Sequence, residues 1–107
     1  MGKSVPAEFT HFGMGKTMTH KVFGFRAGEA IRAAEKEAQR LEDMLSRFQP
    51  ASDIARVNGS AGIRHEKITE EAFDVLSRAV DFSRKGHGFF NITIAPLTDL
   101  WDYKNAV

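Results

Sequence analysis

The chain has no cysteine, which excludes disulfide bonds, thiolate nucleophiles, Cys-ligated zinc and a lipid anchor on a cysteine of this sequence. Proline is scarce, with three in 107 residues, so long stretches stay open to helix. No apolar run approaches the roughly 20 residues that span a bilayer. The opening Met1-Gly2-Lys3-Ser4-Val5-Pro6 lacks the apolar stretch of a secretory leader. Charge of one sign is also missing: 15 Lys and Arg stand against 14 Asp and Glu, for a net charge of +1. The two signs interleave, which argues against the basic face of a nucleic-acid binder. His11, His20, His65 and His87 fall at no metal-ligand spacing and read as solvated or partly buried side chains. With no Gly-x-Ser-x-Gly, no Ser/His/Asp set and no paired carboxylates in a credible pocket, the sequence offers no catalytic residue.

What is present is an ordinary folded composition, 42% apolar and 27% charged, with nine phenylalanines. It fits one domain that hides roughly 65% of its unfolded surface. Residues 1–8 read as a loose lead-in and 9–12 as extended. Gly13-Met14-Gly15 suits a tight turn or a close approach to a ligand. Residues 17–25 alternate, placing Met18, His20 and Val22 on one face of a strand. Over 29–48 the spacing becomes helical, with Ile31, Ala34, Ala38, Leu41, Leu45 and Phe48 as the apolar stripe. Pro50 breaks that helix, Ser52 caps a short turn to Asn58, and 63–68 reads as a short strand. Thr69 caps a second helix over 70–85, with acids in its first turn, Arg84 and Lys85 in its last, and Gly86 beyond. Its buried stripe is expected to be Ala72, Phe73, Leu76, Ala79 and Val80. Residues 89–94 read as a further strand, and Pro96 opens a helical turn through Trp101.

The pattern predicts an α+β fold, two main helices packed on a small, mostly antiparallel sheet. So few short strands cannot close a barrel or a sandwich, and Leu97, Leu100, Trp101 and Tyr103 call for a partner surface. The expectation is therefore part of a larger fold, or an assembly completed by self-association. Gly15-Lys16-Thr17 looks like the end of a phosphate loop, but Thr10 stands where its first glycine is required. A strand also comes next instead of a helix. In the strand expected at 89–94, Phe89, Asn91 and Thr93 share one face and Phe90, Ile92 and Ile94 the other. An aromatic, an amide and a hydroxyl together suit either a flat ligand or a mixed strand face. Met14 between glycines likewise suits the face of a flat heterocycle or a plain strand-entry turn.

Two longer stretches carry a resemblance. Ser46-Arg47-Phe48-Gln49-Pro50-Ala51-Ser52-Asp53-Ile54-Ala55-Arg56-Val57-Asn58 reproduces the pattern Ser-x-Phe/Tyr-x-Pro-x-Ser-x-Ile/Leu-x-x-x-Asn. Gly88-Phe89-Phe90-Asn91-Ile92-Thr93-Ile94-Ala95-Pro96-Leu97-Thr98-Asp99-Leu100-Trp101 reproduces Gly-x-Phe-Asp-x-Thr-x-x-Pro-Leu-x-x-x-Trp, with Asn91 in the place of Asp. Met14-Gly15-Lys16 precedes them in the manner of a Met-Gly-Thr turn, with Lys16 for Thr. In this order, over residues 12–102, they resemble the N-terminal portion of the ApbE family, the FAD:protein FMN transferases.

The resemblance implies that residues 1–107 are an incomplete part of the larger, T-fold-like ApbE fold, with the family's C-terminal half lying beyond them. It implies FAD as substrate, contacted by Met14, Phe48, Phe89, Phe90 and Asn91, and transfer of FMN to a threonine of an acceptor flavoprotein. The Mg²⁺ of the family and its catalytic groups would be held outside this stretch, so the chain alone is expected to be inactive. A periplasmic or membrane-anchored setting on the outer face is the family's habit. The alternative is a non-catalytic flavin- or nucleotide-binding module, or a self-associating one, derived from the same family.

Overall fold

The computed structural model describes residues 6–102, 104 and 105. Strands β1 (Ala7–Gly13) and β2 (Lys16–Val22) pair antiparallel from Ala7↔Val22 to Gly13↔Lys16. That register leaves a two-residue loop, Met14-Gly15, with φ of 52° and 72°. Two positive φ values mark the type I′ turn, whose twist matches that of its flanking strands. The hairpin is sorted by alternation. Glu8, Thr10, Thr17, Thr19 and Lys21 are exposed, with the Thr10 and Thr19 hydroxyls 3.0 Å apart across the ladder. His11, Met18, His20 and Val22 are half-buried on the other face, the side on which helix α1 (Ala27–Leu45) packs against both strands.

Helix α1 is shorter at its end than the spacing predicts. Gly24, at φ 112°, turns the chain out of β2, so the strand stops at Val22 instead of residue 25 and the helix starts at Ala27. It ends when Ser46 takes extended backbone. Ala27 and Ile31 are buried, Ala34, Ala38, Leu41 and Leu45 half-buried, and Phe48, beyond the helix, is exposed. Helix α2 (Asp53–Ser60) has the expected cap: the Ser52 hydroxyl accepts the Ala55 N–H at 3.0 Å. It runs through Gly59 to Ser60, two residues past the expected stop.

Helix α3 (Glu70–Lys85) matches its sequence signals closely. Thr69 caps it by accepting the Ala72 N–H, acids and bases sit at the favoured ends, and Gly86 closes it through the Phe82 carbonyl. Its stripe is buried at Ala72 and half-buried at Leu76, Ala79 and Val80, but Phe73 is exposed. Helix α4 (Ala95–Trp101) comes last, with Pro96 in its first turn.

Two expected strands do not form. At 63–68 the Ser60 carbonyl accepts the N–H groups of Ile63 and Arg64, and Gly62 sits at φ 75°. The chain turns there and then runs on without a ladder partner among the described residues. At 89–94 the backbone has already reversed at His87 and Gly88, with φ of 55° and 81°. The Asn91 Oδ1 then accepts the Thr93 N–H at 2.9 Å and the Thr93 hydroxyl at 2.6 Å. This Asx turn supplies locally the hydrogen bonds that a neighbouring strand would otherwise provide. The common face expected for Phe89, Asn91 and Thr93 is therefore replaced by a turn. Tyr103 and the lead-in at 1–5 lie outside the described residues, while residues 7 and 8 belong to β1.

The chain is α+β and divides into two compact units. Met1–Ile68 holds the hairpin, α1 and α2; Thr69–Val107 holds α3 and α4. Among the described residues no helix is long and apolar enough to cross a membrane. The accessible surface is 8990 Å² for a mass of 11.9 kDa. An unfolded chain of that mass exposes about 17,000 Å², so about half is hidden, less than the length leads one to expect. Even two separate compact globules of these proportions would expose only about 7,100 Å². Each unit thus leaves apolar surface without cover. Ile31→Ala is expected to cost about 2–5 kcal/mol and the half-exposed Leu41→Ala less, read as a shift of the urea midpoint.

Candidate functional site

Met14 sits at the tip of the hairpin in a conformation that L-residues avoid, φ 52°. Its N–H donates to Glu42 Oε1 of α1 at 3.0 Å, so the helix carboxylate holds the turn from behind while the side chain stays half exposed. The type I′ turn requires this conformation of whichever residue stands here.

Phe48 is placed by the loop that joins α1 to α2. Its N–H donates to the Ser46 hydroxyl at 3.2 Å, and the Ser46 carbonyl accepts the Ser52 hydroxyl, which ties the loop to the start of α2. The Phe48 ring is 76% exposed and carries the Arg47 guanidinium 4.2 Å from its centre. A flat ring with a cation beside it is suited to a heteroaromatic group or a phosphate.

Around α2 lies a polar cluster that the sequence patterns do not reveal. Arg56 of α2 donates to Asp53, to Glu66 Oε1 at 3.1 Å and to the Lys67 carbonyl at 2.9 Å. Ser60 donates to Glu66 Oε2 at 2.8 Å, and Arg64 lies 3.6 Å from the same oxygen. Ser52, Asp53 and Ser60 are buried. The Ser60 hydroxyl, then Arg56 and Arg64, hold the Glu66 carboxyl below its usual range against the opposing effect of burial. Arg56 is shifted up, first by its bond to Asp53 and then by Glu66.

In the second unit Phe89 is almost fully exposed, at 96%. Phe90 meets Phe82 of α3 edge to face, with centroids 5.3 Å apart and planes at 83°. Asn91 is occupied in its Asx turn. That turn needs only an acceptor oxygen, which an amide supplies as a carboxylate would. On α3, Phe73, Leu76, Ser77, Val80, Asp81 and Arg84 line an open apolar groove of about 330 Å³.

The sequence profile of the ApbE family matches residues 14–107. The chain belongs to the ApbE family. An FAD:protein FMN transferase of Klebsiella pneumoniae (strain 342) is 30% identical to it over 76 residues, 70% of this chain and 22% of that protein. The chain thus matches about a fifth of the length of the relative.

Within this ApbE chain, the fold puts Met14 and Phe48 in the first unit and Phe89, Phe90 and Asn91 in the second. Phe48, Phe89 and Phe90 keep exposed rings, whereas the Asn91 oxygen is spent on the backbone. Pattern reading misses Glu42, Arg47 and the Arg56 cluster. For Arg47 the available signal is adjacency to Phe48; for Glu42, 28 residues from Met14, none exists without the fold.

Met14→Asn, which tolerates the left-handed region, should stabilise the chain by about 1 kcal/mol, visible as a higher melting temperature. Glu66 titrates at its ordinary value of 4.5 when unfolded and below it when folded. Its stabilising effect is therefore present above that value and lost as the pH falls through the lowered one. Glu66→Gln should flatten the acid side of the stability–pH curve, measured by urea unfolding between neutral and acid pH.

Proposed function

We propose that this chain is the FAD-binding portion of an FAD:protein FMN transferase that attaches FMN to a threonine of an acceptor flavoprotein. The observation that carries the reading is the presence of both long motifs, in order, inside the stretch that matches the family, with their aromatic side chains standing open to solvent. The relative from Klebsiella pneumoniae bears that activity in its name. Met14, Phe48, Phe89 and Phe90 would offer ring faces and a thioether to the flat parts of FAD. Arg47, over Phe48, would meet its negative charge. Asn91 would act by shaping the turn that presents Phe89 and Phe90.

The described residues offer no preformed magnesium cage: no three His, Cys, Asp or Glu side chains stand together among them, although magnesium commonly takes one or two carboxylates with waters and substrate phosphates. Asp53 and Glu66 are already engaged by Arg56. We place the metal and catalytic groups in the part of the family fold that this stretch does not match. The extent of uncovered apolar surface also favours a second reading, a self-associating binding module.

The test is FAD titration followed by flavin fluorescence, together with an FMN-transfer assay using Mg²⁺ and a threonine acceptor peptide. FAD should bind, Phe48→Ala should weaken binding about tenfold, equivalent to about 1.4 kcal/mol, and transfer should be absent for the 107-residue chain. Failure to bind FAD would remove the flavin reading, and transfer by this chain alone would contradict the placement of the catalytic groups.

A further inference from the structure

Nine residues apart in sequence, His11 and His20 meet across the hairpin with their Nε2 atoms 2.8 Å apart. The rings lie nearly parallel, at 11°, with centroids 5.0 Å apart. The difference between those two distances is taken up by the two ring radii, so the imidazoles are aimed at each other head-on in a shared plane and are not stacked face to face. Met18 stands directly opposite His11 in the register and on the same half-buried face. A Cβ built on Gly13 would meet Met18 Sδ at 3.2 Å and His11 Cε1 at 3.6 Å. The thioether and the Cε1–Nδ1 edge of His11 thus both border the position kept bare by glycine.

We propose that His11 and His20, assisted by Met18, form a binding site for a soft monovalent d¹⁰ cation, Cu(I) or its redox-inert analogue Ag(I). Two ring nitrogens aimed along one line suit linear two-coordination once the proton between them has moved to Nδ1. With metal–nitrogen bonds of about 2 Å, the gap opens by only about 1 Å and the rings keep their orientation. A cis-chelated or tetrahedral cation would instead require each ring to swing by roughly 45° or somewhat less, since its bonds leave the N···N line. Thioether sulfur selects for the same soft ion. Zinc would need further ligands, and no third His, Cys, Asp or Glu joins the pair among the described residues. Protons balance without release: the imidazole that donates from Nε2 in the empty pair carries its single proton on Nδ1 once the metal occupies Nε2. No electron is transferred.

The absence of cysteine makes the test clean, because no thiolate competes. Ag(I) is titrated into the 107-residue chain, with the histidine ring nitrogens followed by NMR, and Cu(I) is measured anaerobically by competition with a chromophoric chelator. One equivalent should bind, moving both Nε2 resonances of His11 and His20. His20→Gln should weaken binding by at least tenfold, the lower end of what even a ligand's supporting partner contributes. Met18→Leu should weaken it less, and His65→Gln and His87→Gln should leave it unchanged. The wild-type NMR readout stands whether or not a variant folds. The proposal is overturned if neither Nε2 shifts at millimolar Ag(I), if the affinity survives His20→Gln in a folded variant, or if Zn²⁺ binds the pair more tightly than Ag(I).

Discussion

Both units of this chain bury little apolar surface within themselves, and that constraint governs everything else in them. A helix or hairpin must bury its apolar face against a second layer. Helix α1 does so against the hairpin, through Ala27 and Ile31. The second unit achieves full burial of an apolar side chain only at Ala72 among the described residues. What remains open is large and aromatic or aliphatic: Phe25, Phe48, Phe89, Leu100 and Trp101 are all mostly exposed. An uncovered surface of this kind is one that a ligand, more polypeptide or another copy would cover.

The polar cluster around Arg56 explains how the first motif keeps its shape without a deep core. Asp53, Ser60 and Glu66 converge on or around one guanidinium and one hydroxyl, and no buried side-chain nitrogen or oxygen lacks a partner among the described residues. Local polar closure takes the place of missing hydrophobic depth. It ties α2 to the segment that follows it, while the Ser52 hydroxyl, donating to the Ser46 carbonyl, ties the start of α2 to the loop that carries Phe48. The Asx turn at Asn91 serves the second motif in the same way, by setting the backbone that carries Phe89 and Phe90. In both cases polar side chains in or beside the motif shape its backbone.

Where local chemistry decides the conformation, the sequence is readable. The caps at Ser52 and Thr69, the close of α3 at Gly86 and the turn at Met14-Gly15 all arise from residue type and position. Alternation misleads at 89–94, because a strand needs a neighbour and Asn91 satisfies the backbone alone. Spacing is silent on the meeting of two partly buried histidines: only the register of the hairpin brings His11 to His20. The candidate flavin residues come from motif resemblance; the fold adds the support of Glu42 behind Met14 and of Arg47 over Phe48, neither of which periodicity can reveal.

The central claim is that the two motif segments present open aromatic faces to a flavin. Hydrogen–deuterium exchange of the 107-residue chain with and without FAD tests it most directly. The account predicts FAD-dependent protection concentrated at residues 46–48 and 88–93, with the solvent-facing side of α1 unchanged. Protection spread evenly along the chain, or confined to segments outside both motifs, would contradict it.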